Sequence, residues 1–326
     1  MKALVCHSFG GPEELRLEEV ETPVGGPGKL LVDVAASGLN YADLVVIRGQ
    51  YQGQKQPPII PGFEVYGTVA EVGSAAGDFR AGDRVIGQVW DGGFGQRVAM
   101  DASTTIRLPF DMPAADAAAL YANYGTAYSA MVQRGGGHSS ETLLVLGAAG
   151  GVGLAAVQLG RALGMTVLAD CRGAIKQDLA RAEGAHHIVD HSAADFADRV
   201  KRITSGRGCD LVLDMIGADA TKAALRVIAR MGRLVVIGFA GGTPHLIPAN
   251  HLLVKNCAVI GHWWGDLNTR DRSGLVDVFD ALFAMYGTGA IRPYIDQIVS
   301  PQDVPSALAR YERREVLGKM VCMWDR

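Results

Sequence analysis

Residues 145–160 read VLGAAGGVGLAAVQLG, residue types and spacing suited to binding a pyrophosphate. The apolar run Leu143–Leu146 leads into Gly147, Ala149, Gly150, Gly151, Val152 and Gly153, and a helical pattern begins at about Val152. Glycines where a strand turns into a helix let the backbone approach a phosphate closely. The amide N–H groups at the helix start, with the positive end of its dipole, offset the negative charge. Ala148 breaks the plain G-x-G-x-x-G spacing but is small enough to leave the turn passable. In a chain with further strand–helix units in register, this pattern predicts a dinucleotide site.

The next strand should choose between NAD and NADP, and its signals conflict. Asp170 closes TVLAD about 20 positions beyond the glycine turn, where a carboxylate usually bonds the ribose 2′-hydroxyl. Arg172 and Lys176 follow directly, and both suit a 2′-phosphate, arginine by its fork of donors as well as its charge. His191, after the third strand, adds a third donor. The bland alternatives are that Asp170 caps a loop and Lys176 is a solvated helix residue. The cations favour NADPH over NADH.

These residues need elements to hold them. At 326 residues the chain exceeds what a single core usually fills, so two domains are expected. From Met1 to about Ala122 the apolar runs are short and broken by glycine and proline, as in KLLVDVAASGL and DRVIGQV, and read as strands joined by turns. From TLLVLGA onward, short apolar strands alternate with helical stretches such as GLAAVQLGRALG, AIKQDLARAEGA and TKAALRVIARMG, the pattern of a parallel sheet. The tail, roughly Asp266 to Arg326, returns to mixed helix and strand.

Composition narrows the partners. The net charge is −3 without a basic block, which argues against nucleic acid and anionic membrane surfaces. Five scattered cysteines with no C-x-x-C pair argue against disulfides and a cysteine-rich zinc lobe, and fit a reducing cytoplasm. No apolar stretch is long enough for a membrane span, and the N-terminal apolar run is too short for a signal peptide. A short-chain dehydrogenase would need Y-x-x-x-K, and Tyr121, Tyr124, Tyr128 and Tyr311 all lack the lysine.

The segments ASGLNYADLVVIRGQY, PPIIPGFEVYGTVAEVG, FRAGDRVIG, AAALYANYGTAY, GAAGGVG, CDLVLDMIG, LVVIGFAGG and GKMV stand in one order along the chain. With them the chain resembles a zinc-independent quinone oxidoreductase of the medium-chain dehydrogenase/reductase superfamily. That resemblance implies an α/β protein: a GroES-like, mostly-β catalytic domain from residues 1–122 and 266–326, and a Rossmann doubly wound parallel-sheet domain from 123–265, with the active cleft between them. It also implies a homodimer joined through Rossmann sheet edges, for which LLVKNCAVIGHWW supplies an apolar strand candidate.

Metal-containing relatives carry cysteine near Ser37–Asn40 and a G-H-E motif, whereas this chain has Asn40 and GFE at Gly62–Glu64. No zinc is expected. The resemblance places Asn40 and Tyr51 at the reacting acceptor, as hydrogen-bond donor and as hydrogen-bond or proton donor. It places Asn123, Thr126, Gly238, Phe239 and Lys319 against the cofactor, and leaves Trp263 and Trp264 between pocket lining and core. The structural alternatives are that Tyr51 packs at a domain edge and Asn40 caps a turn. The expected reaction is hydride transfer from NADPH to a small quinone or similar acceptor. Reduction of an enone, acrylate or enoyl thioester is the runner-up, and a non-catalytic NADPH sensor the alternative of another class.

Overall fold

The computed structural model describes residues 1–52 and 55–324, apart from the side chains of residues 267 and 268. The chain forms two compact units, one of Met1–Ala122, Gly265–Phe283 and Pro293–Arg326, the other of Asn123–Trp264 and Ala284–Arg292. No helix among the described residues is long and apolar enough to cross a membrane.

Numbered along the chain, the first unit contains β1 (Lys2–Cys6), β2 (Leu15–Glu19), β3 (Lys29–Leu39), β4 (Glu64–Val72), β5 (Arg84–Gln88), β6 (Arg97–Asp101), β7 (Thr105–Arg107), β14 (Ile295–Val299) and β15 (Lys319–Met323). β1 pairs with β2, and the larger sheet runs β14-β15-β3-β4-β5-β7 with β6 also on β3. The long β3 is the organiser. It pairs antiparallel with β6 over Lys29–Asp33, with β15 over Ala36–Leu39, and with β4 along most of its length. This register sets Gly38 opposite Glu64 and Leu39 opposite Met320, so three distant stretches of sequence meet where β3 ends.

The second unit holds β8 (Thr142–Leu146), β9 (Thr166–Asp170), β10 (His187–Val189), β11 (Cys209–Asp214), β12 (Ile228–Val236) and β13 (Ala258–Gly261). Their order is β10-β9-β8-β11-β12-β13, all parallel. This is the doubly wound sheet expected from the strand–helix alternation. Every residue of β8 is buried, as a strand covered by helices on both faces requires. Strand order reverses between β8 and β11, and in open α/β sheets ligands bind outside the carboxyl ends of strands at such a point.

Three stretches differ from their sequence patterns. TKAALRVIARMG is helical only to Val227; β12 begins at Ile228, and Met231, at φ +63°, lies where its pairing with β11 shifts register. LLVKNCAVIGHWW is divided between the helix Ala249–Lys255, closed by Asn256 at φ +48°, and β13. Residues 284–292 pack with the second unit, where Gln158 accepts from Arg292 N at 2.9 Å and donates to Arg292 O at 2.7 Å.

Candidate functional site

In the second unit, Gly147 takes φ +76° directly after β8, a conformation that a side chain rarely adopts. Gly150 is the extended N-cap of the helix Gly151–Ala162. The first N–H groups of a helix have no intrahelical acceptor. Gly153 packs so tightly that an added methyl would stand 2.2 Å from Gly147 O, which holds helix against strand. Gly151 faces the Asn123 amide, 2.4 Å from where a Cβ would stand. At Gly150 the nearest atom to such a Cβ is Gly147 O at 3.6 Å, an ordinary contact, so this position has room for a methyl. Ala148 and Ala149 are buried, and Ala148 N donates to Asp170 O at 3.0 Å, tying the turn to the end of β9. Val152 is half-buried in the first helical turn.

Across the reversal of strand order, the buried Asp214 ends β11. Its carboxylate accepts from Ile216 N and Gly217 N, both at 2.9 Å, and from the Thr221 hydroxyl at 2.5 Å, fixing the next turn. Gly238 has no atom nearer than Met215 O, 3.7 Å from where a Cβ would stand, and Phe239 is exposed beside Gly217. Thr126 is buried in Gly125–Tyr128, and the Trp264 ring covers Gly125. The turn therefore groups with Asn123, and Phe239 with Gly217. Trp264 is core, while Trp263 is half exposed.

Asp170 is almost fully buried and already engaged. It accepts from His191 N at 2.7 Å and binds His191 Nδ1 at 2.8 Å. That hydrogen bond raises the His191 imidazole above its usual range. Arg172 is exposed in the following turn, and Lys176 is half-buried on the next helix, Ala174–Ala182.

In the first unit the end of β3 carries a buried charged network. Lys319, at 2 % exposure, binds Glu64 Oε1 and donates to Asn40 Oδ1 at 2.7 Å. Asn40 Nδ2 donates to Glu64 Oε1 at 3.0 Å and to Gly38 O at 3.3 Å. The second Glu64 oxygen accepts from Ala122 N at 2.7 Å. Asn40 N donates to Asp43 Oδ2 at 2.7 Å, and burial pushes the Asp43 carboxyl up to about 7. The Lys319 ammonium compensates the buried Glu64. Asn40 has both amide protons engaged, so donation to an acceptor would break a bond to Glu64 or Gly38. Tyr51 instead packs its ring 5.0 Å from Phe63 and 6.2 Å from Trp90.

Comparison with known proteins bears on what this arrangement serves. Residues 26–127 match the alcohol dehydrogenase GroES-like domain and residues 151–281 the zinc-binding dehydrogenase family. The chain is 33% identical over 321 residues to quinone oxidoreductase-like protein 2 of Bos taurus, covering 98% of this chain and 91% of that protein. It belongs to the quinone oxidoreductase branch of the medium-chain dehydrogenase/reductase superfamily. It is also 32% identical over 341 residues to the synaptic vesicle membrane protein VAT-1 homolog of Homo sapiens, covering 98% and 86% of the two chains. Among solved structures, Escherichia coli quinone oxidoreductase complexed with NADPH superposes with a TM-score of 0.92 at 27% identity, covering 99% of this chain and 100% of that one. A probable oxidoreductase from Mycobacterium abscessus gives 0.90 at 34%, covering 99% of each.

This quinone oxidoreductase-branch chain is therefore an oxidoreductase with a GroES-like and a Rossmann unit. The zinc in the name of its matched family does not fit the residues at the end of β3. Phe63 offers no ligand atom, Glu64 is saturated by Lys319, Asn40 and Ala122, and the Lys319 ammonium would repel a cation. The cysteines are no better: all five are buried, and burial pushes Cys209 and Cys322 up to about 12 and Cys171 to about 11. Sequence reasoning missed Glu64, Asp43 and Asp214. Glu64 is visible in GFE, but no local pattern marks Lys319 and Asn40 as its partners.

Proposed function

We propose that this protein is an NADPH-dependent reductase that passes hydride, without a metal, to a quinone or similar electron-poor small acceptor. The observation that carries the reading is the combination of a glycine turn at the reversal of strand order with an Asp170 already engaged by His191. The neighbour complexed with NADPH supports the choice of cofactor. In this reading the first-turn amides of Gly151–Gly153, beside Ala149 and Gly150, bind the pyrophosphate. Arg172, Lys176 and His191 bind the 2′-phosphate, and Asn123, Thr126, Gly238 and Phe239 border the nicotinamide end. The bound cofactor supplies the hydride. Negative charge then develops on the acceptor oxygen, and Tyr51 donates to it. Asn40 is held by Lys319 and Glu64 as a fixed wall of the acceptor site. A coenzyme A or carrier substrate would need a basic rim, and a small acceptor is favoured because the loop cations Arg48, Lys55, Arg270 and Arg272 are all engaged. Arg48 pairs with Glu312, Lys55 with Asp91, Arg270 with Asp266, and Arg272 with the carbonyls of Ser103 and Thr105.

We further propose a cytoplasmic homodimer formed through β13, the terminal strand of the parallel sheet, with Leu253 and Val254 exposed on the helix that precedes it in the chain. Light scattering at the mass of two chains is the expected result, and a single-chain mass sinks it. The function is tested by following NADPH oxidation at 340 nm with an ortho-quinone beside an acrylate-type enone, with and without a chelator. Quinone turnover unaffected by the chelator is expected. Turnover of the enone alone would instead make the protein an alkene reductase, and cofactor binding without turnover of either would favour a sensor.

A further inference from the structure

The carboxylate that closes β9 stands where an acidic residue ordinarily reads the ribose 2′-hydroxyl, yet here it faces a histidine. Both Asp170 oxygens are directed at His191: Oδ1 accepts the main-chain N–H at 2.7 Å and lies 3.0 Å from Nδ1, while Oδ2 lies 2.8 Å from Nδ1. Asp170 is 2 % exposed, so a ribose hydroxyl would have to displace the imidazole to reach it. With Nδ1 fixed on the carboxylate, the ring's other nitrogen, Nε2, is the one left for a ligand. The His191 side chain keeps 15% exposure.

We propose that Asp170 and His191 form a cofactor-selecting pair in which the buried carboxylate keeps a cationic imidazole directed at the 2′-phosphate, so that preference for NADPH over NADH depends on pH. The proposal rests on the NADPH reading above and reassigns Asp170 from ribose acceptor to positioning residue. The charged groups facing His191 are Asp170 on β9, Arg172 in the turn after it, and Asp190 at the end of β10. The hydrogen bond to Asp170 raises the imidazole against the opposing effect of burial, and Asp190 adds to the rise while Arg172 lowers it. Asp190 is itself occupied by the Ser192 N–H and hydroxyl, at 2.9 and 2.6 Å. The neighbouring Cys171 is pushed by burial up to about 11, above the range tested. The phosphomonoester itself titrates near pH ~6, so the informative range begins at about pH 7.

The test measures dissociation constants of NADPH and NADH by tryptophan fluorescence quenching from pH 7 to 9.5, for wild type, H191Q and D170N. In wild type the NADPH preference should fall about fivefold to tenfold across that range as the charge-assisted bond is lost, while NADH affinity stays level. H191Q should show a lower preference at pH 7 and no decline. D170N should move the decline below pH 7 and leave NADH affinity unchanged. A preference that does not vary with pH in wild type, or a decline that survives in H191Q, overturns the pair while leaving the NADPH reading intact. Selective loss of NADH affinity in D170N overturns it by showing that Asp170 reads the ribose. Preference for NADH in wild type at pH 7 overturns both.

Discussion

The two units hold their functional residues in opposite ways. In the second unit the proposed donors are main-chain amides at the start of Gly151–Ala162, where Gly151 and Gly153 are closely packed and Gly150 alone has room for a methyl. In the first unit the end of β3 carries a network in which Lys319, Glu64 and Asp43 are buried and Asn40 is half-buried, Asn40 bonding all three. A phosphate site gains from unsatisfied N–H groups, because the ligand supplies the missing acceptors. A buried ion pair gains nothing from being left open, since each charge has lost its hydration and needs every partner it has. The contrast predicts that the first region governs stability and the second affinity.

The largest expected effect breaks the network. Lys319→Met leaves Glu64 buried without its cation and should cost about 3–5 kcal/mol in urea unfolding. Adding Glu64→Gln should restore much of that loss, and a double variant no more stable than the single one would show that the pair is not coupled. Tyr51→Phe should lower kcat for the quinone by about a hundredfold, within the range of general acid catalysis. Its melting temperature should stay level, and an unchanged kcat would remove Tyr51 from the chemistry.

On the other side of the comparison, Gly150→Ala places a methyl where the fold has room but the pyrophosphate is expected. NADPH affinity should fall about tenfold, equivalent to ~1.4 kcal/mol, with stability unchanged. A stability loss without an affinity loss would mean that the space serves packing.

The smallest effects concern pH and carry opposite signs in the two units. Asp43 is raised to about 7 when folded, so the native state binds the extra proton and this group's contribution declines as pH rises from about 4 to 7. His262 is pushed down to about 4 by burial, so its contribution is full above the unfolded value near 6.5 and is lost as pH falls toward 4. Asp43→Asn should therefore flatten the stability profile between pH 4 and 7 from the first unit, and His262→Leu should remove the acid limb from the second. Chemical denaturation at pH 4.5, 6 and 8 distinguishes them, and equal slopes in wild type and variants would contradict both assignments.

What the sequence made legible follows the same division. The glycine turn could be read because its function resides in backbone geometry, which Gly147, Gly150 and Gly153 impose locally whatever lies elsewhere in the chain. The doubly wound sheet was legible for a related reason: runs such as TLLVL and CDLVLD announce strands buried on both faces. The charged network was not legible. Lys319 lies 279 residues from Asn40 and meets it only through the pairing of β15 with β3, a register that no local pattern reveals. Asp170 falls between these cases. Its position pointed to a cofactor-reading role, but the His191 ring that occupies it is 21 residues away on the next strand–loop unit. Residue type alone could not show which of the two would face a ligand.

The most direct test of this division is a crystal structure of the protein with NADPH. The account predicts the pyrophosphate on the amides of Gly151–Gly153, the 2′-phosphate among Arg172, Lys176 and His191, Asp170 still bonded to His191, and Lys319 still bonded to Glu64. A ribose hydroxyl on the Asp170 carboxylate, or a Lys319 ammonium turned from Glu64 to a cofactor phosphate, would contradict it.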